Sequence, residues 1–182
     1  GGEGLLGKRI FEHLDFFQKK FSLFSITKQN YKNFYNKNCD IFINANGNSS
    51  KFIGNQEPLK DFKKSVNTTF RSLFDFNFKK YIFLSSIDVY NENQSLNLKK
   101  ENSKIDINKI NHYGMNKLIS ENIVRHYSKS YMILRIGSVI DIRLKKNHIY
   151  DMINNNPVFT NKYSKTSLIT GDEIAKIIYL LI

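Results

Sequence analysis

The chain has 182 residues, a formal net charge of +12 and a pI near 9.6. That length suits one domain of ordinary size with a small appendage; the single cysteine, Cys39, excludes an intramolecular disulfide, and no apolar stretch approaches the length of a membrane span. The basic excess is dispersed in pairs such as Lys19-Lys20, Lys63-Lys64, Lys79-Lys80 and Lys145-Lys146 rather than gathered in one run, so it reads as a solvated surface that suits an anionic small substrate, not nucleic acid.

Residues 1–7 read GGEGLLG, in which Gly1, Gly4 and Gly7 follow a G-x-x-G-x-x-G spacing. Such glycines permit a tight turn and close approach of backbone to a phosphate at a helix N-terminus; a flexible glycine tail is the plain alternative. Leu5, Leu6, Ile10, Phe11, Leu14 and Phe17 then recur at helical spacing and predict a helix over 5–19 with one buried face. FSLFSIT (21–27) is strand-like, CDIFINANG (39–47) is an apolar run ending in turn residues, and KKYIFLSS (79–86) and SYMILRIGSV (130–139) are two more. Cys39, beside Asp40, reads as a structural thiol. A helical pattern covers 58–77 with Phe62, Val66, Phe70, Leu73 and Phe74 on one face, and others cover 111–128, 146–154 and 172–182, the last opened by Asp172 and Glu173. Pro58 and Pro157 fall where loops are expected.

Strands that are continuous apolar runs, alternating with helices, predict a parallel sheet covered on both faces. The polar segment 91–111 separates two motif-bearing stretches and reads as a loop over the site.

Two constellations carry chemistry. In HYGMNK, Tyr113 and Lys117 are four apart on a predicted helix and share a face, and an ammonium near a phenol stabilises the phenolate. Upstream, Ser86 stands in FLSSIDVY at the carboxyl end of a predicted strand, where open α/β sheets place their ligands. A chance surface pair is the plain reading of Tyr113 and Lys117 taken alone.

Taken in order, GGEGLLG, CDIFINANG, SVNTTF, YIFLSSIDVY, HYGMNK and ILRIGSV resemble the extended short-chain dehydrogenase/reductase family, the NAD(P)-dependent epimerases and dehydratases of nucleotide sugars. The resemblance implies a Rossmann-like doubly wound parallel sheet, with residues 1–140 as the dinucleotide-binding domain and 141–182 as a small substrate-binding region. The family's first strand would precede Gly1 and is expected upstream. By this resemblance Ser86 orients the substrate hydroxyl or carbonyl, Tyr113 moves the proton, and Lys117 holds the nicotinamide ribose while lowering the Tyr113 pKa. Gly1, Gly4, Leu5, Leu6 and Gly7 would cradle the pyrophosphate. Asn44, Asn46 and Gly47 match the turn along the cofactor, Asn67 a cofactor-side asparagine, and Ser138 and Val139 the chain beside the nicotinamide. The chain departs from the family where NANG lacks the usual alanine pair and where Asn116 replaces a small serine.

About twenty residues past the glycine loop, where an acidic side chain would bind the NAD ribose, stand Thr27 and Lys28. A hydroxyl and a cation suit a 2′-phosphate, which favours NADP over NAD. Ile87 occupies the acid position of the dehydratase branch, so a keto-sugar reductase or an epimerase acting on a nucleotide-sugar substrate is expected. A noncatalytic cofactor-binding or scaffold member of the fold is the main alternative. The resemblance allows a homodimer, and the expected protein is soluble and cytoplasmic, without signal peptide or membrane association.

Overall fold

The computed structural model describes residues 1–17, 20–90, 100–144, 147–158, 161, 163 and 165–182. It is α/β and divides into two compact units: Gly1 with Ile26–Arg135, and Gly2–Ser25 with Ile136–Ile182.

In the first unit the sheet has the order β1 (Asn38–Asn44), β2 (Asn77–Ser86), β3 (Tyr131–Ile136), and β1 pairs parallel to β2 with Asn44 opposite Phe83. Six consecutive residues of β2, Tyr81 to Ser86, are buried, so this strand is covered on both faces, as its unbroken apolar run requires. Tyr81, Phe83 and Val124 form a core cluster, with Phe42, Leu73, Phe78 and Ile133 packed against it. Phe42 stacks between Phe76 and Tyr81 at ring-centroid distances of 4.8 and 5.4 Å.

Parallel pairing of β1 with β2 requires a crossover. It runs through α2 (Lys51–Gln56), α3 (Pro58–Phe62), a π-helical turn (Lys63–Asn67) and α4 (Thr68–Asp75). The continuous helix expected over 58–77 is therefore segmented. Pro58 does not lie in a loop but at the first position of α3, where its missing N–H costs no hydrogen bond. The expected buried face is also corrected. Of its five residues Val66 is buried and Leu73 partly so, whereas Phe62, Phe70 and Phe74 are 41, 38 and 56% exposed. The buried side is instead polar, with Asp61, Ser65, Thr69 and Ser72 at 1–4% exposure. These groups tolerate burial because each is satisfied: Ser72 Oγ lies 2.6 Å from Tyr81 Oη, Thr69 accepts from Asn44, and Ser65 donates to Asp61. The outward rings of Phe70 and Phe74 meet Tyr127 of α5 (His112–Tyr127), both at 5.3 Å.

FSLFSIT forms no strand. A strand exists only through its ladder, and among the described residues none pairs with this segment. Cys39 is half-buried; its thiol donates to the Asn77 carbonyl at 3.5 Å, and burial and Asp40 push its pKa up, which suits a structural group. Of the segment 91–111, residues 91–99 lie outside the described residues.

The second unit contains α1 (Leu5–Asp15), β4 (Ser138–Ile140), α6 (His148–Ile153), β5 (Leu168–Thr170) and α7 (Gly171–Leu181), with β4 and β5 parallel. The first helix thus stops at Asp15, short of the expected 19, and residues 18 and 19 lie outside the described residues. The apolar faces of α1 (Ile10, Leu14) and α7 (Ile174, Ala175, Ile178) are buried, and Phe17 stacks on Tyr179 at 4.3 Å. Thr170 and Glu173 close a reciprocal capping box at the start of α7. Among the described residues no helix is long and apolar enough to cross a membrane.

One buried ion cluster ties the sheet to α5. Glu121 is fully buried and accepts from Ser85 Oγ (2.6 Å), Arg125 (2.9 Å) and both Nε and Nη2 of Arg135 (3.0 and 2.8 Å). Burial would raise the Glu121 pKa, but the hydrogen bonds from Arg135, Ser85 and Arg125 hold it below the ordinary glutamate value. Its stabilisation is therefore present above the unfolded-state pKa and is lost as pH falls through the lower folded one. Replacing Arg135 by Met should cost about 3–5 kcal/mol in urea unfolding at neutral pH, because a buried carboxylate loses its bidentate partner. The deficit should shrink as the pH is lowered.

Candidate active site

The site assembles where β2 ends. Ser86, its last residue, caps a single 3-10 turn (Ile87–Val89): its Oγ accepts the Asp88 N–H at 3.2 Å and donates to Asp88 Oδ2 at 3.0 Å. Helix α5 starts with Asn111 accepting the Gly114 N–H at 2.8 Å. That cap sets the helix so that Tyr113 and Lys117, one turn apart, both point inward at 7 and 6% exposure. The Tyr113 ring lies against Gly54 of α2, and its N–H donates to Asn55 Oδ1 at 3.1 Å. The Ser86 side chain lowers the Tyr113 pKa, and Lys117 Nζ stands 5.8 Å from the Tyr113 ring centroid. The three expected chemical groups are thus brought together.

Electrostatics in this cluster differ from the simple Tyr-Lys expectation. Burial, then Asp88 and Asp61, push the Tyr113 pKa up, against a lowering contribution from Ser86. Burial brings Lys117 down to about 8, although Asp61, Asp88 and Glu121 oppose that shift. Among the described residues Lys117 Nζ has no hydrogen-bond acceptor; it lies near the faces of Phe83 and Tyr113 and the Gly47 turn. Gly47 has φ +117°, a conformation that favours glycine, and a Cβ there would sit 3.6 Å from Lys117 Nζ. A buried ammonium beside a bare backbone turn fits a group that brings hydroxyl or anionic oxygens, as the ribose of a nicotinamide dinucleotide does.

Two residues that sequence reasoning passed over organise the surroundings. Asp61, 1% exposed, accepts from Ser65 Oγ (3.0 Å) and Asn116 Nδ2 (2.8 Å), and Ser65 Oγ in turn accepts the Asn48 N–H at 3.0 Å. This chain links the turn after β1 to α5. Asn116, the departure from the family's small serine, is the residue that meets Asp61. Lys51, at the start of α2, pairs with Asp88 Oδ1 at 3.0 Å. Asp61 escaped notice because its stretch reads as an apolar helical face; the i, i+4 spacing of Asp61 and Ser65 was the available signal.

The other expected site residues occupy varied settings. Asn44 is buried and spends both amide hydrogens on Thr69 Oγ1 and Tyr81 Oη, while its Oδ1 accepts the Asn46 N–H at 2.9 Å. Its local role is to shape the turn. Gly1 lies flat against that same turn: an added Cβ would come 2.2 Å from the Ala45 carbonyl oxygen. Gly4 caps α1, and Leu5, Leu6 and Gly7 form its first turn, where backbone N–H groups have no intrahelical acceptor. Thr27 and Lys28 lie in a turn closed by Thr27 N–H to Asn30 Oδ1 at 2.7 Å, with Lys28 exposed. Asn67 ends the π-helical turn and is exposed. Ser138 and Val139 belong to β4 in the second unit; Ser138 N–H donates to Ser167 and the Val139 carbonyl accepts from Asn147, both at 3.0 Å.

Comparison with curated proteins gave no match. Among solved structures the fold is similar to a UDP-N-acetylglucosamine 4-epimerase from Methanobrevibacter ruminantium M1 (TM-score 0.74, 19% identity, covering 99% of this chain and 70% of that one). It is also similar to a UDP-glucuronic acid 4-epimerase from Bacillus cereus (TM-score 0.77, 14% identity, 100 and 71% coverage). A dTDP-4-dehydrorhamnose reductase from Clostridium acetobutylicum ATCC 824 is comparable (TM-score 0.78, 15% identity, 100 and 68% coverage). These likenesses establish a Rossmann-like fold. The model of the NAD dependent epimerase/dehydratase family matches residues 1–154, most of the chain, and the chain therefore belongs to that family.

Proposed function

We propose that the protein is an NAD(P)-dependent oxidoreductase or epimerase that acts on a nucleotide-linked sugar. The observation that carries this reading is the convergence of Ser86, Tyr113 and a buried Lys117 that lies beside the Gly47 turn and has no acceptor among the described residues. A bound nicotinamide cofactor would supply or accept the hydride. Within the chain, Tyr113 exchanges a proton with the sugar oxygen, Ser86 orients that oxygen, and Lys117 holds the cofactor ribose. In the reducing direction the upward push on the Tyr113 pKa is useful, because it keeps the phenol protonated until the carbonyl oxygen takes its proton.

Nucleotide sugars are favoured as substrates because the similar structures carry UDP-sugar and dTDP-sugar enzyme names. Ile87 in the dehydratase acid position favours reduction or epimerisation over loss of water. Residues 141–182 are assigned to the sugar side of the substrate, and Gly1 to Gly7 with Asn44, Asn46, Gly47, Asn67, Ser138 and Val139 to the cofactor side. The exposed rings of Phe70, Phe74 and Tyr127, which pack on one another, form an aromatic patch suited to a second copy of the chain.

Tyr113→Phe should nearly abolish hydride transfer to a panel of keto-sugar nucleotides while leaving cofactor affinity almost intact; transfer at the parent rate would remove Tyr113 from the chemistry. Ser86→Ala should lower kcat on the order of a hundredfold, comparable to the loss of one oriented hydrogen-bond donor.

Thr27 and Lys28 favour a 2′-phosphate, so calorimetric titration should give a lower Kd for NADPH than for NADH. Equal or reversed affinities would assign those side chains no part in cofactor choice.

Lys117→Met separates stability from function. Depression of the Lys117 pKa to about 8 corresponds to about 3 kcal/mol of unfavourable burial at neutral pH. Because a folded pKa below the unfolded one makes stability rise with pH between the two, the substitution should raise Tm of the cofactor-free protein most below about pH 8. It should also remove cofactor binding.

A further inference from the structure

Asp88 joins three groups that the proposed chemistry does not by itself require to be joined. Its Oδ2 accepts the Ser86 hydroxyl at 3.0 Å, its N–H donates back to Ser86 Oγ at 3.2 Å, and its Oδ1 pairs with Lys51 Nζ at 3.0 Å. The carboxylate is about one-quarter exposed, and Lys51 reaches it from the first position of α2, the helix whose Gly54 lies against the Tyr113 ring. We propose that the Lys51–Asp88 pair is a positioning device that fixes the Ser86 hydroxyl and holds a partly neutralised negative charge beside the Tyr113 phenol, so that α2 tunes the pH range in which Tyr113 works. The inference rests on the reading of Tyr113 as the acid/base.

The hydrogen-bond inventory of serine gives the first step. A hydroxyl has one hydrogen, and in Ser86 that hydrogen is committed to Asp88. One Ser86 lone pair takes the Asp88 N–H, which leaves the other for a donor in the site. Asp88 thus fixes where the Ser86 hydroxyl stands, and donation to a sugar carbonyl exchanges the Ser86–Asp88 Oδ2 bond for one to the substrate.

Charge gives the second step. Among the described residues, the charged groups that bear on Tyr113 are Asp88, from the turn after β2 whose carbonyl lies against Gly114, Asp61 from α3, Lys117 from its own helix, and Lys51 from α2 acting through Asp88. Glu121 bears on Lys117 from the next turn of α5. Asp61 is locked by Ser65 and Asn116, whereas the Lys51–Asp88 pair is partly solvated and can respond to what enters the site. A negative charge near a phenol disfavours the phenolate, and a cation on that charge offsets it.

The two partners therefore have opposite effects. Asp88→Asn retains an oxygen that can accept from Ser86 but removes the charge, and should lower the Tyr113 pKa by about one pH unit. Lys51→Met leaves Asp88 uncompensated and should raise it by a smaller amount. In the reducing direction, activity needs protonated Tyr113 and falls as pH rises through its pKa. The alkaline limb of the pH–rate profile should thus move down in Asp88→Asn and up in Lys51→Met. The same order should appear in tyrosinate ultraviolet titrations of the full chain, each taken as the difference from its Tyr113→Phe counterpart. The titration reads Tyr113 without turnover, so opposed shifts in a protein that reduces no keto-sugar would sustain this inference and defeat the functional reading. Unmoved titrations, or shifts of the same sign in both variants, would overturn the inference even in an active enzyme.

Discussion

A buried ammonium with no hydrogen-bond acceptor is among the costlier features a fold can carry, and among the described residues the first unit is arranged around one. Lys117 sits 6% exposed between two aromatic faces and a glycine turn, with three carboxylates acting on it from a distance. Those carboxylates lessen the cost of the charge without capping it, so the donors of Lys117 stay available. Such an arrangement is poor for stability and well suited to recognising hydroxyl or anionic oxygens, the familiar exchange between folding free energy and function.

Lys117 can be held there because its surroundings are satisfied. Asp61 is pinned by Ser65 and Asn116, Glu121 by Ser85 and two arginines, and Asn44 by Thr69, Tyr81 and the Asn46 backbone. These networks join β1, β2, the crossover helices and α5. A change in any of them shifts the frame in which Ser86 and Tyr113 face each other. The polar side of the crossover helices is part of the same solution: it lies inward, with its hydrogen bonds complete, while the phenylalanines lie outward.

Much of this was legible in the sequence, for identifiable reasons. The buried strand β2 reads from an uninterrupted apolar run, and the Tyr113–Lys117 face reads from their spacing on a helix. Ser86 reads from its place at a strand end. The crossover helices were misread because hydrophobic periodicity assumes that apolar residues mark the buried side. Here Asp61, Ser65, Thr69 and Ser72 take that side by pairing with one another or with β-strand residues, and no period in the sequence encodes those partners. FSLFSIT has the composition of a strand, yet strand formation depends on a neighbouring ladder that lies beyond the segment itself. The Lys51–Asp88 contact was invisible for the same kind of reason, since it joins the start of one helix to a turn far along the chain.

The account's central claim is that this cluster directs hydride transfer between a nicotinamide cofactor and a sugar carbon. It is tested most directly by incubating the protein with reduced cofactor deuterated at nicotinamide C4 and a keto-sugar nucleotide, followed by mass spectrometry of the sugar product. The account predicts a product one mass unit heavier, formed by the parent and not by Tyr113→Phe. A parent protein that binds the cofactor but transfers no label to any keto-sugar offered would contradict it.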